Sequence, residues 1–184
     1  KGNKLFEIGC ATGELYKYFL NNYKKFNYSG FDISSSLIKR AHRKYPKNKF
    51  ILLKPLEIFN IKSKFGKADL VWSRDVVVHQ ENPYKFIQFL IDLSSEATIM
   101  KVMTRDVGKT VLDIENSCQL HWGKYWEPFM VLNTTELINK ISSDKEVNKI
   151  LISRNYKVFG GFNHRYLPKD MYLENAKTAE TSIL

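Results

Sequence analysis

Residues 7 to 13 read Glu-Ile-Gly-Cys-Ala-Thr-Gly: an acid and an apolar residue, then two glycines four positions apart, at the end of an apolar run. A chain that turns so tightly from a strand into a helix brings backbone N–H groups against a ligand, with the positive end of the helix behind them. A dinucleotide-binding turn needs G-x-G-x-x-G. Here Ala11 takes the second position and Glu14 the last, where its charge repels a pyrophosphate. No Gly-Lys-Ser/Thr follows, so the turn is not a P-loop either. Asp32 stands 19 residues beyond Gly13, at the end of the stretch YSGFDI. A carboxylate there can accept hydrogen bonds from both hydroxyls of a ribose.

These residues need a strand–turn–helix frame, and the apolar periodicity predicts one. KLFEIG (4–9) reads as a first strand, and Leu15, Phe19 and Tyr23 recur after it at helical spacing. A second strand spans 28–33; the serines after it cap a helix that Pro46 stops. KFILL (49–53) and ADLVWS (68–73) make the third and fourth strands, and Asn82-Pro83 opens a helix with a cap and a proline at its first position. ATIMKVMT (97–104) is the fifth strand. Strands separated by helices of about 10–15 residues give βαβ units and a parallel sheet covered on both faces. Right-handed crossovers then make the chain doubly wound.

The rhythm breaks over residues 105–132, which are long, aromatic and irregular and contain SCQLHWGKYWEPF. A helix resumes at NTTELINKI, capped by Asn133 or Thr134. Two last strands, 156–162 and 179–184, are expected to pair antiparallel at the sheet edge. The expected fold is one α/β domain over 1–184: a mostly parallel, seven-stranded sheet with helices on both faces and an antiparallel edge hairpin. The first strand begins within three residues of the start, which predicts that an N-terminal segment precedes this chain.

At 184 residues the chain is long enough for one sizeable core, and an apolar share of 43% argues against disorder. No apolar run approaches the ~18 residues of a membrane span, and nothing resembles a signal peptide. The two cysteines, Cys10 and Cys118, cannot build a disulfide framework or a metal cluster, which points to the cytoplasm and to no metal. Cys118 reads as a small packing residue. The net charge of +10 invites a nucleic-acid partner. Yet 23 lysines against 6 arginines, spread over helix faces and turns, fit a solvated surface.

The first turn resembles motif I of the class I S-adenosylmethionine-dependent methyltransferases, an acid and an apolar residue followed by G-x-G-x-G, with Ala11 in place of the middle glycine. The resemblance runs over residues 4–104 and implies the Rossmann-like fold and S-adenosylmethionine as methyl donor. It implies that Glu7 helps hold the methionine end of that cofactor, whose amino group and sulfonium are cationic. The backbone of Gly9, Cys10, Ala11 and Gly13 then lies against it, Asp32 takes the ribose and Ile33 packs on the adenine. The family's acid after the third strand is missing: Lys54 stands there and cannot accept a hydrogen bond, which leaves Leu56, Glu57 and backbone groups at the adenine. Ser73, Val77, Val78 and His79 resemble the family's S-x-x-V-L-x-H after the fourth strand.

The acceptor is read from what is absent. The Asn/Asp-Pro-Pro-Tyr/Phe signature of amino-methylating nucleic-acid enzymes is replaced by Ser73-Arg74-Asp75-Val76, and no Pro-Cys nucleophile of the cytosine enzymes occurs. A small polar acceptor such as a sugar or another metabolite, methylated on oxygen, is the simplest expectation. Displacement at a sulfonium carbon needs alignment and a base for the acceptor's proton. His79 after strand four, Asp106 after strand five and His121 in the aromatic insertion are the candidates, beside Asp75 and Arg105. The insertion reads as an acceptor-pocket wall or lid, since aromatic faces bind ring substrates, or as a hydrophobic cover over the sheet. RNA or protein methylation, and a non-catalytic cofactor-binding member of the fold, stay open beside the O-methyltransferase reading.

Overall fold

The structure, a computed structural model, describes residues 3–22, 26–121, 124–157, 165–172, 175 and 177–184. The chain falls into two compact units, residues 1–74 with 89–99 and residues 75–88 with 100–184.

In the first unit β1 (Lys4–Ile8) is buried from Leu5 onward, as a strand flanked on both edges and covered on both faces must be. It pairs in parallel with β2 (Asn27–Asp32) and with β4 (Ala68–Arg74), and β2 pairs on with β3 (Lys49–Leu52). The strand order is β3-β2-β1-β4-β5, where β5 (Ser94–Arg105) starts three residues before the expected position. Helix α4 (Pro83–Leu93) runs straight into β5: the Ser94 hydroxyl donates to the Ile91 carbonyl at 3.0 Å, so no loop separates them.

Helix α1 (Glu14–Asn22) packs Tyr16 and Phe19 inward; Tyr23, expected to continue its apolar stripe, lies outside the described residues. The N-cap of α2 (Ser35–Lys44) is Ser34, whose hydroxyl accepts from the Leu37 amide, and its basic last turn suits the helix dipole. The short α3 (Ile61–Phe65) ends at Gly66, where φ is 73°. Leu5, Phe19, Tyr28, Ile38, Ala41 and Phe50 form the core that these helices close.

In the second unit β5 pairs antiparallel with β11 (Thr178–Ile183), and β11 pairs antiparallel with β9 (Ile152–Tyr156). The partner of the last strand therefore precedes the expected 156–162, of which residues 158–162 lie outside those described. Along β5 runs the two-residue β8 (Leu132–Asn133), and Asn133 caps α5 (Thr134–Ser142) by accepting from the Glu136 amide at 3.0 Å.

Residues 105–132, expected to be irregular, hold regular structure. There β6 (Cys118–His121) and β7 (Tyr125–Pro128) form a hairpin, extended by β10 (Arg165–Tyr166) into a three-stranded antiparallel sheet ordered β10-β6-β7. The aromatic residues mask an alternation of period two: Gln119 and His121 face the same way as Tyr125 and Glu127 opposite them. Val78, Met103, Phe129, Val131, Leu167 and Met171 make this unit's core. Among the described residues no helix is long and apolar enough to cross a membrane, and no group of three or more His, Cys, Asp or Glu is placed to hold a metal ion.

Candidate functional site

The turn after β1 takes positive φ at alternate residues: Gly9 at 84°, Ala11 at 46° and Gly13 at 79°. A side chain on Gly13 would meet the Phe50 ring at 2.8 Å, so glycine is required there for space as well as for conformation. Ala11 holds the left-handed region against its own Cβ, at a cost of roughly 1–2 kcal/mol. Four amides of the turn are already donated within the protein. Gly9 and Cys10 bond the Phe31 carbonyl (2.8 and 3.1 Å), Gly13 bonds the Cys10 carbonyl (2.9 Å), and Ala11 bonds Asp32 Oδ2 (2.8 Å). Such a turn has little left to offer a phosphate.

Two carboxylates flank it. Glu7 is 7% exposed and accepts a hydrogen bond from the Tyr28 hydroxyl. Burial pushes its carboxyl up to about 8, against the opposing pull of the Tyr28 hydroxyl and the charge of Arg74. Asp32 Oδ1 accepts from the Ser34 amide at 2.8 Å, so each Asp32 oxygen keeps a lone pair for a ligand hydroxyl. The Cys10 thiol is buried in the core, so its side chain is turned away from the surface of the turn. Beside Asp32 at the carboxyl ends of β2 and β3, Ile33 and Leu52 stand exposed, and Leu56 beyond them is 86% exposed. Flat apolar surface next to a ribose-type acceptor suits a nucleoside base. Glu57 caps its own turn, accepting from the Lys54 amide at 3.1 Å. Ser73 is wholly buried at the end of β4, with no partner for its hydroxyl among the described residues.

The base candidates separate within the second unit. Asp106 accepts from Arg154 (3.0 Å), Tyr156 (2.8 Å) and Thr134 (2.7 Å). Burial raises its carboxyl, but these donors outweigh burial and hold it below the usual range, which makes it a weak base. Arg105 is buried against Asp170 and the Val107 carbonyl. His79 and His121 converge on one carboxylate: Glu127 Oε1 lies 2.9 Å from His121 Nδ1 and 3.4 Å from His79 Nδ1. The Pro128 carbonyl, 3.0 Å from His79 Nδ1, can only accept, so that nitrogen carries the proton. The same reasoning places the His121 proton on Nδ1 and its lone pair on Nε2.

A family model described as a methyltransferase domain matches residues 6–96, which hold the glycine turn, both carboxylates and the first strands of the sheet. Those residues form a methyltransferase domain of the class I, S-adenosylmethionine-dependent kind. Solved structures share the fold. The plantazolicin methyltransferase BpumL in complex with SAH aligns over 100% of this chain and 76% of its own, at 15% identity and TM-score 0.56. Coclaurine N-methyltransferase bound to N-methylheliamine and SAH aligns over 85% of this chain and 46% of its own, at 9% identity and TM-score 0.59. The cyclase SpnF, whose reaction is a 4+2 cyclisation, aligns over 99% and 74%, at 12% identity and TM-score 0.63. This chain spans less than half the length of several such structures. No curated protein sequence matches it.

Tyr28, Gly30 and Glu127 are the residues that sequence reasoning passed over. Register explains the first two. Glu7 stands opposite Gly30, and a Cβ there would meet the Tyr28 hydroxyl at 2.6 Å and Cys10 Cβ at 2.8 Å. Glycine at 30 is what lets Tyr28 reach Glu7. The period-two spacing of Tyr28 and Gly30 was the available signal; for Glu127 the signal was its alternation with Tyr125.

Proposed function

We propose that this chain transfers the methyl group of S-adenosylmethionine to a hydroxyl of a small polar acceptor. The observation that carries the reading is the pair of carboxylates, Glu7 and Asp32, set about a turn with four of its amides already engaged. Those groups suit a nucleoside ligand that bears positive rather than negative charge. When bound, the cofactor supplies an electrophilic methyl carbon on a sulfonium whose sulfur departs as a neutral thioether. Asp32 holds the ribose hydroxyls, Glu7 the methionine ammonium, and Ile33 with Leu56 the adenine face. Within the second unit, His121, held by Glu127 through Nδ1, presents Nε2 as a base for a hydroxyl proton.

Calorimetric titration with S-adenosylmethionine and S-adenosylhomocysteine, followed by transfer of labelled methyl to candidate acceptors, tests the reading. Micromolar binding of both is expected; no binding to a folded chain overturns it. A second reading, an RNA acceptor, draws on one observation: between Asp32 and Glu57 the chain carries seven Lys or Arg and no acid. RNA binding that weakens steeply with salt would decide for it.

A further inference from the structure

On the polar face of the β10-β6-β7 sheet, hydrogen bonding is lopsided at one residue. Glu127 Oε1 accepts from Gln119 Nε2 at 2.7 Å and from His121 Nδ1 at 2.9 Å, with His79 Nδ1 at 3.4 Å. The other oxygen, Oε2, has no donor among the described residues, and the side chain is only 15% exposed. One oxygen of this carboxylate is engaged by the protein, and the other is open to accept hydrogen bonds from a ligand. Arg165 continues the row: its Nε donates to Gln119 Oε1 at 3.3 Å, and its guanidinium lies 4.1 Å over the Phe129 ring. Tyr125 stacks on His121, centroids 5.0 Å apart and planes within 15°, while staying 56% exposed.

We infer that this face binds the acceptor and that the acceptor is a carbohydrate. An open carboxylate oxygen accepts from ring hydroxyls, and an exposed aromatic ring covers the C–H face of a pyranose. Glu127 repels a phosphate or carboxylate ligand, while the Arg165 guanidinium in the same row disfavours an ammonium; neutral hydroxyls satisfy both signs. The inference rests on the methyl-transfer reading only in naming the sugar as the acceptor, since the binding face stands on its own residues.

The test is saturation-transfer NMR on the full chain with the methyl glycosides of glucose, galactose, mannose and rhamnose, with S-adenosylhomocysteine titrated into the same samples. At least one glycoside is expected to bind. Glu127→Gln and Tyr125→Ala should weaken it about tenfold or more, the scale of losing a hydrogen bond to a charged group. Tyr166→Ala, on the opposite face, should not. Because Tyr125 is exposed, its truncation serves even if Glu127→Gln melts early. A wild-type chain that binds S-adenosylhomocysteine but no glycoside, or glycoside binding unchanged in both variants, overturns the inference. Glycoside binding without S-adenosylhomocysteine binding overturns the methyl-transfer reading instead.

Discussion

The Asp32 carboxylate accepts the Ala11 amide at 2.8 Å, and Ala11 sits at φ 46°. With its other oxygen on the Ser34 amide, the same side chain ties the turn after β1 to the start of α2. A strained residue persists where its surroundings over-determine it, and here the determinant is also the proposed ribose ligand. Asp32→Ala should therefore act twice, weakening S-adenosylhomocysteine binding by ~1.5–3 kcal/mol and lowering the melting temperature. Asn at 32 keeps one acceptor oxygen and should lose less. Calorimetry beside thermal melts measures both; unchanged affinity in the alanine variant sinks the ribose assignment.

Ala11→Gly removes the Cβ from a left-handed residue. The relief of roughly 1–2 kcal/mol is partly offset by about 0.4–1 kcal/mol of extra freedom in the unfolded chain. A modest net gain is expected as a higher urea midpoint with an unchanged slope. Cofactor affinity should hold or improve, because the backbone is then free to approach more closely.

Glu7 sets a pH dependence whose sign is fixed by its burial. Its carboxyl is raised from 4.5 to about 8. Between those values the folded chain keeps a proton that the unfolded chain has released, so stability falls as pH rises. The contribution is complete below the lower value and gone above the upper one. Urea midpoints taken across this window should decline for the wild type and decline less for Glu7→Gln; equal slopes would mean that Glu7 ionises as an ordinary carboxylate. A ligand ammonium beside Glu7 favours the charged form, so S-adenosylmethionine should bind more tightly toward about pH 8 and release a proton as it does.

Gly30→Ala drives a Cβ to within 2.6 Å of the Tyr28 hydroxyl and 2.8 Å of Cys10. Overpacking of this kind costs about 1–3 kcal/mol. It should also break the Tyr28–Glu7 hydrogen bond, so the loss of stability is expected together with a weaker hold on the cofactor. Full stability in this variant would show that the contact relaxes without consequence.

Leu56→Ser separates binding from folding. The side chain is 86% exposed and supports no core, so the melting temperature should not move. Affinity for S-adenosylhomocysteine should fall if Leu56 covers the adenine, and adenosine alone should show the same fall. A variant that binds as the wild type removes Leu56 from the site.

Strands β1 to β4, the Ser34 and Asn133 caps and the proline start of α4 were legible because each follows from residues a few positions apart. Apolar spacing, a capping side chain and a ring-fixed φ all act locally. The hairpin of β6 and β7 was not legible, since its aromatic residues sit on an alternation too short to stand out. Nor was β9: every residue of it is exposed, so no apolar pattern marks it.

The sequence by itself determined the glycine turn, the two carboxylates around it and the order of strands that brings their ends together. Tertiary structure alone decided the state of those groups. Whether Glu7 holds a proton depends on burial and on Tyr28, 21 residues away. Whether Ala11 is strained depends on Asp32, also 21 residues away. His79 and His121 met on Glu127 because β7 folds back on β6 in one register, and a slip of one residue would turn Glu127 to the other face. Charge, strain and hydrogen-bond vacancy are properties of surroundings, and surroundings exist only once distant segments have packed.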